Sequence, residues 1–154
     1  MITGARNVLC PIELDDSFAS ALALAKMLVV RNQGKLFLLH VVAPVNDPLL
    51  VAGSLKTHRD LAASERGLKE IAARELAGVP HELVLRVGDI VDEILKAEVE
   101  FAIDLVVMPT HRHSQIFRLL ADGVSQRVVR DSICPVTTLS EKAWTNARLL
   151  SDLT

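Results

Sequence analysis

Apolar residues in this chain gather in five short runs, and between the runs they recur every three or four positions. Val8-Leu9-Cys10-Pro11-Ile12 reads as a short buried strand, with Pro11 placed at its end or at a bulge because proline has no amide to donate. Asp15, Asp16 and Ser17 then offer helix caps. Phe18, Leu22, Ala25 and Val29 follow at helical spacing, predicting a helix that stops near Asn32-Gln33-Gly34. Lys35 to Val42 predicts a second strand, apolar on both faces, and His40 reads as a strand-end residue. Residues 43–53 read as a loop, and Ser54 to Ala77 as a long helix with Leu61, Leu68, Ile71 and Leu76 on one side. His81 to Val87 alternates, Glu82, Val84 and Arg86 opposite Leu83, Leu85 and Val87, which predicts an edge strand. Asp89 caps a third helix whose stripe is Ile90, Ile94, Ala97 and Phe101. Ile103 to Met108 is a fourth strand, Gly123 to Asp131 a fourth helix, and Val136 to Leu139 a last strand.

Strands apolar on both faces belong in a parallel sheet covered by helices on both sides. The alternating order therefore predicts an α/β, Rossmann-like fold with a single doubly wound, five-stranded parallel sheet, strand order 3-2-1-4-5. In such sheets ligands bind beyond the carboxyl ends of the strands, where the winding direction reverses. Here that crevice falls between the first and fourth strands, walled by Ile12 to Asp16 and by Pro109 to Gln115.

Composition narrows the picture. The chain has 154 residues, half of them hydrophobic and only 3% aromatic, so Ala, Val, Ile and Leu build the core of one domain. A net charge of −2 gives no general affinity for nucleic acid, and no apolar run is long enough to cross a membrane. Cys10 and Cys134 both sit in apolar runs and read as buried thiols of a cytoplasmic protein.

Val8-Leu9-Cys10-Pro11-Ile12-Glu13, Leu39-His40-Val41-Val42, Gly88-Asp89, Asp104 to His111 and Cys134-Pro135-Val136 resemble, in order, segments of the universal stress protein family. The resemblance covers residues 7–140 and accounts for Pro11, since the family carries a proline at that strand end. It implies a universal stress protein domain over residues 1–140, followed by a tail of residues 141–154, partly helical. It also implies a homodimer joined through Val136, Thr137, Thr138 and Leu139.

Nucleotide-binding members of the family carry Gly, two residues, Gly, nine residues, then Gly-Ser or Gly-Thr after the fourth strand. Without gaps those positions fall here on Pro109, Arg112, Asp122 and Gly123, and none matches. A one-residue shift brings Gly123 onto the glycine position but leaves the first two glycines missing. Glycines there let the backbone approach phosphate closely, whereas Pro109 removes an N–H and Arg112 adds bulk. Asp122 stands where an anion would gather at the fourth helix and caps that helix instead. At roughly 4 Å and an effective dielectric near 20, its carboxylate repels a phosphate charge by about 4 kcal/mol before screening.

By the same resemblance Met108 and Val124 belong to the nucleotide site, and Ile12, Glu13 and Val41 stand near the base. Glu13 replaces a usual aspartate, and Ile12 and Val41 read equally as core. No cofactor is expected, with ATP or another adenine nucleotide the alternative.

His111-Arg112-His113 and Arg118 cluster beside the crevice. They read as a solvated loop or as side chains holding an anion, with His113 and Arg118 as additional anion contacts. His111 and His113 lack a third ligand for a metal. Ser17, Ser114 and Asp15 compose no nucleophile elbow, and no phosphate-binding Gly-rich loop is present, so no catalytic set is assigned. His58 and His81 read as surface residues. In the tail, Trp144, Ala147, Leu150 and Leu153 recur at near-helical spacing, for packing on the body or docking a protein partner. The expected function is a non-enzymatic, dimeric stress-response module with an unidentified protein partner. The alternative is an adenine-nucleotide sensor.

Overall fold

The computed structural model describes residues 4–44, 50–109 and 123–139. Strands β1 (Asn7–Pro11), β2 (Lys35–Val42), β3 (His81–Val87), β4 (Leu105–Pro109) and β5 (Val136–Leu139) form one parallel sheet. Its order is β3-β2-β1-β4-β5, as the pattern predicts. Helices α1 (Ala19–Arg31), α2 (Leu50–Glu75), α3 (Ile90–Glu100) and α4 (Val124–Asp131) connect the strands.

The pleat sends neighbouring residues to opposite faces, and both faces are covered. Val8 and Cys10, Leu36 and Leu38, and Leu105 and Val107 pack with Leu22, Ala25 and Val29 of α1 and Leu68, Ile71 and Leu76 from the α2 side. Leu9, Phe37, Leu39, Val41, Val106 and Met108 pack instead with Ile90 and Ile94 of α3 and Val124 and Val128 of α4. Pro11 ends β1, and the amide of the next residue, Ile12, continues the pairing to the Leu39 carbonyl oxygen at 2.8 Å.

Asp15 does the capping before α1: its carboxylate accepts from the Ser17 amide at 2.7 Å, and a single 3-10 turn, Asp16–Phe18, leads into the helix. The helix ends at Arg31, and Gln33, not Gly34, takes the left-handed conformation at φ 53°. Gly34 serves close approach, because a Cβ there would stand 2.0 Å from the Arg6 carbonyl oxygen. That oxygen accepts from the Lys35 amide at 2.7 Å and so starts β2 beside β1.

Three expectations are corrected. Helix α2 begins at Leu50, four residues before the predicted Ser54, and ends at Glu75, two before Ala77. In β3 the buried residue is Val84, which joins the α3 face, while Leu83 and Leu85 pack partly on the α2 face and Val87 is exposed. β3 is nonetheless the edge strand that the alternation predicts, less covered than β1, β2 and β4. In α3, Asp89 caps as predicted, accepting from Val91 and Asp92 amides at 3.1 Å each. Phe101, however, lies just past the helix, its ring 4.8 Å from that of Phe37, and Glu98 joins the buried set at 1% exposure.

Candidate functional site at the carboxyl edge of the sheet

The carboxyl ends of β1, β2 and β4 converge, and the winding reverses between β1 and β4. The cleft that the described residues form at this edge lies to one side of the predicted crevice. It holds about 370 Å³ between the ends of β1 and β2 and helix α2, lined by Glu13, Leu14, His40, Val42, Asp60 and Ser64 among others.

His40 is the residue that the sequence reading undervalued. It does not end β2 but sits two residues inside it, and it is only 7% exposed. Its Nδ1 lies 2.9 Å from the Ile12 carbonyl oxygen. A carbonyl only accepts, so Nδ1 carries a proton and donates it to Ile12. The Glu13 carboxylate stands 4.0 Å from the same Nδ1, largely buried. A lone histidine inside an apolar strand was the available signal; Asp60 and Ser64, on a polar stretch of helix, left none.

Around this cleft the polar groups are mainly acceptors: two carboxylates, and one imidazole already donating elsewhere. Neither Lys nor Arg is among the described residues that line it. It is therefore poorly matched to a phosphate. Among the described residues no group of three His, Cys, Asp or Glu is arranged to hold a metal ion.

The other predicted positions fall into three groups. Ile12, Val41, Met108 and Pro109 are brought to this edge but their side chains are buried, the first three in the two cores. Arg112, His113, Arg118 and Asp122 lie outside the described residues, as does the tail. Gly123 is described, and it corrects the expected cap: Gly123, not Asp122, holds the N-cap position of α4, with no side-chain hydrogen bond to the helix.

Gly123 adopts φ 91°, a conformation that suits glycine, with nothing within 4 Å of where a Cβ would stand. That geometry favours the shifted match, in which Gly123 takes the last glycine position and Val124 the hydroxyl position. Val124 is buried in the α3–α4 core and brings no hydroxyl.

The model of the universal stress protein family matches residues 4–140. The chain belongs to the universal stress protein family. A curated relative, the universal stress protein in the QAH/OAS sulfhydrylase 3′ region of Thermus aquaticus, is 30% identical over 135 residues, 85% of this chain and 96% of that protein. Among solved structures, the universal stress protein UspA from Lactobacillus plantarum superposes with a TM-score of 0.74 at 20% identity, covering 88% of this chain and 97% of its own. A universal stress protein in complex with cAMP gives 0.68 at 21% identity, over 90% of this chain and 98% of its own. A family member from Arabidopsis thaliana with AMP bound gives 0.60 at 21%, over 88% and 90%. At these identities the structures speak for the shared fold. No helix among the described residues is long and apolar enough to cross a membrane.

Proposed function

We propose that this universal stress protein is a non-enzymatic, dimeric stress-response module that acts in the cytoplasm through protein contacts, its family-type ATP binding weak or lost. The observation that carries this reading is Pro109. It closes β4 beside Leu139 and is buried, so in the match without gaps the first signature position has no amide to offer a phosphate and no freedom in φ. In the match shifted by one residue the first two glycines are still missing, and Val124, packed in the core, deprives the last position of its hydroxyl.

Dimerisation rests on β5. It pairs with β4 alone among the described strands, and its second edge faces outward with Thr138 exposed. An unpaired edge is a template for a second copy.

Calorimetry with ATP, ADP and AMP on nucleotide-stripped protein tests the first part. Micromolar binding overturns it. Sedimentation of Thr138→Lys tests the second: a dimer that persists with a lysine on each facing edge places the interface elsewhere.

A second reading, an adenine-nucleotide sensor, draws support from Gly123. Gly123 at the N-cap brings no side chain of its own to the start of α4, the kind of helix end where anions gather. The relatives holding cAMP and AMP point the same way. In that reading the base lies toward Glu13 and His40, and Arg112, His113 and Arg118 replace the missing glycines. Micromolar nucleotide binding that Arg112→Ala weakens tenfold or more decides for it.

A further inference from the structure

Helix α1 buries Ala21, Ala25 and Val29 and turns an adjoining flank to a groove of about 500 Å³. Phe18 and Leu22, both buried, line it toward the start of the helix, and Met27 and Val30, 42% and 60% exposed, line it toward the end. Ala19 and Ala23, one turn apart, bring only methyl groups to it and leave the space open. The volume falls within the roughly 300–1,000 Å³ of small-molecule sites, and a mostly apolar lining with a few charged groups is their usual composition. The groove shares no lining residue with the cleft at the carboxyl edge of the sheet.

The charged groups that line it are Lys26, Arg31 and, from the end of α2, Glu75. Arg74 holds the Glu75 carboxylate at 3.2 Å, whereas Lys26 and Arg31 enter no ion pair among the described residues. The unbalanced charge at the groove is therefore positive. A lysine lays its stem along apolar surface and carries its ammonium to the rim. Lys26 is one turn from Leu22 on one side and Val30 on the other, so its cation tops an apolar slot.

The size of the groove decides what fills it. From Phe18 to Arg31 the flank runs about 20 Å, and a helix is about 10 Å across, so it offers on the order of 200 Å². A stable protein contact needs roughly 800 Å² from each partner. A single narrow chain needs far less, and between Lys26 and Phe18 the helix gives its tail about 12 Å of apolar floor.

We propose that this groove binds a single-chain anionic amphiphile, a free long-chain carboxylate. Its head sits at Lys26, in the field of Arg31, and its tail runs past Ala23 and Ala19 toward Phe18.

Calorimetry with dodecanoate, kept below the concentration at which it forms micelles, should show saturable binding to the full chain. Decanoate should bind about three- to tenfold more weakly, since two fewer methylenes leave water. Lys26→Ala should weaken dodecanoate binding several-fold. Ala23→Phe fills the groove from a half-buried position and should abolish binding while far-UV circular dichroism stays unchanged. Should that variant unfold, Met27→Glu, at an exposed position, sets a carboxylate against the ligand's own and should weaken binding several-fold. No binding at millimolar dodecanoate overturns the proposal, as does binding that none of the three variants alters. Dodecyltrimethylammonium bound as tightly as dodecanoate also overturns it, because the cations would then select nothing. Retention on phosphatidylglycerol vesicles without binding of free dodecanoate would give the groove to a membrane surface. A smaller assembly of Ala23→Phe in sedimentation would give it to a second copy, and either result overturns the proposal.

Discussion

The imidazole of His40 donates from Nδ1 to the carbonyl oxygen of Ile12 across 2.9 Å, tying the end of β1 to the interior of β2 through a side chain. The bond fixes the ring's tautomer and holds the Glu13 segment beside the cleft. Replacing His40 by leucine removes a buried partner, and His40→Leu should lower unfolding stability by about 1–3 kcal/mol. His40→Asn, whose amide nitrogen can stand near the place of Nδ1, should recover part of that loss. Urea denaturation followed by circular dichroism measures both; equal losses in the two variants would assign the effect to packing.

Glu98 makes the second prediction. Its buried carboxylate accepts from the Ser132 hydroxyl at 2.6 Å and from the Ile133 amide at 3.2 Å, fastening α3 to the turn between α4 and β5. Glu98→Ala should cost about 2–3 kcal/mol, since it removes the acceptor of the Ser132 hydroxyl and the Ile133 amide and opens space. Glu98→Gln, which keeps the acceptor for Ile133, should cost less. Hydrogen exchange should show the α4–β5 turn opening before β1 and β2 in Glu98→Ala; protection lost uniformly would argue against a local fastening.

Both thiols are held protonated. Burial pushes the Cys10 thiol from 9.0 up to about 12. Burial first, then the Glu98 and Asp104 carboxylates, pushes Cys134 up to about 11. Each is an acid whose native form keeps its proton longer than the unfolded form, so stability contributed below pH 9 falls as pH rises through the interval from 9 to about 11 or 12. At pH 8 iodoacetamide should label native Cys10 only through unfolding, and Cys134 far more slowly than a free thiol. Mass spectrometry of labelled peptides checks this, and rapid labelling of Cys10 would contradict its burial.

Two glycines separate two kinds of need. Gly34→Ala drives a Cβ into the Arg6 backbone and should cost more than about 3 kcal/mol, because backbone on both sides must move. Gly123→Ala meets no atom but must hold φ near 91°, a strain of about 1–2 kcal/mol. Thermal melts rank them; a smaller effect at Gly34 would mean that the chain can shift there without penalty.

Most of the fold was legible because β1, β2 and β4 carry apolar residues on both faces, a pattern that only a covered parallel sheet accommodates. The bounds of β2, β3 and β5 follow from Gly34, Pro80, Gly88 and Pro135 beside them. The start of α2 was hidden because its helical periodicity becomes clear only at Leu61, well inside the helix. Val84 was misplaced because one strand's alternation does not say which of two dry faces each residue enters. The site was less legible for a similar reason. His40 is a single polar residue in an apolar run, and its importance comes from the Ile12 carbonyl, 28 positions away. Likewise, Gly123's role appears only in its backbone angle, which composition does not carry.

The pleat of β1 has a last consequence. Val8 and Cys10 belong to the α1–α2 half of the interior, and Leu9, between them, to the α3–α4 half. Residues adjacent in sequence thus answer to different neighbours, while residues far apart share one. Substitutions drawn from opposite halves and lying more than roughly 7–10 Å apart should combine with nearly additive energies. The two sides can therefore drift independently in evolution: the half bearing α3 and α4 can change while the half that seats His40 and Glu13 keeps its shape.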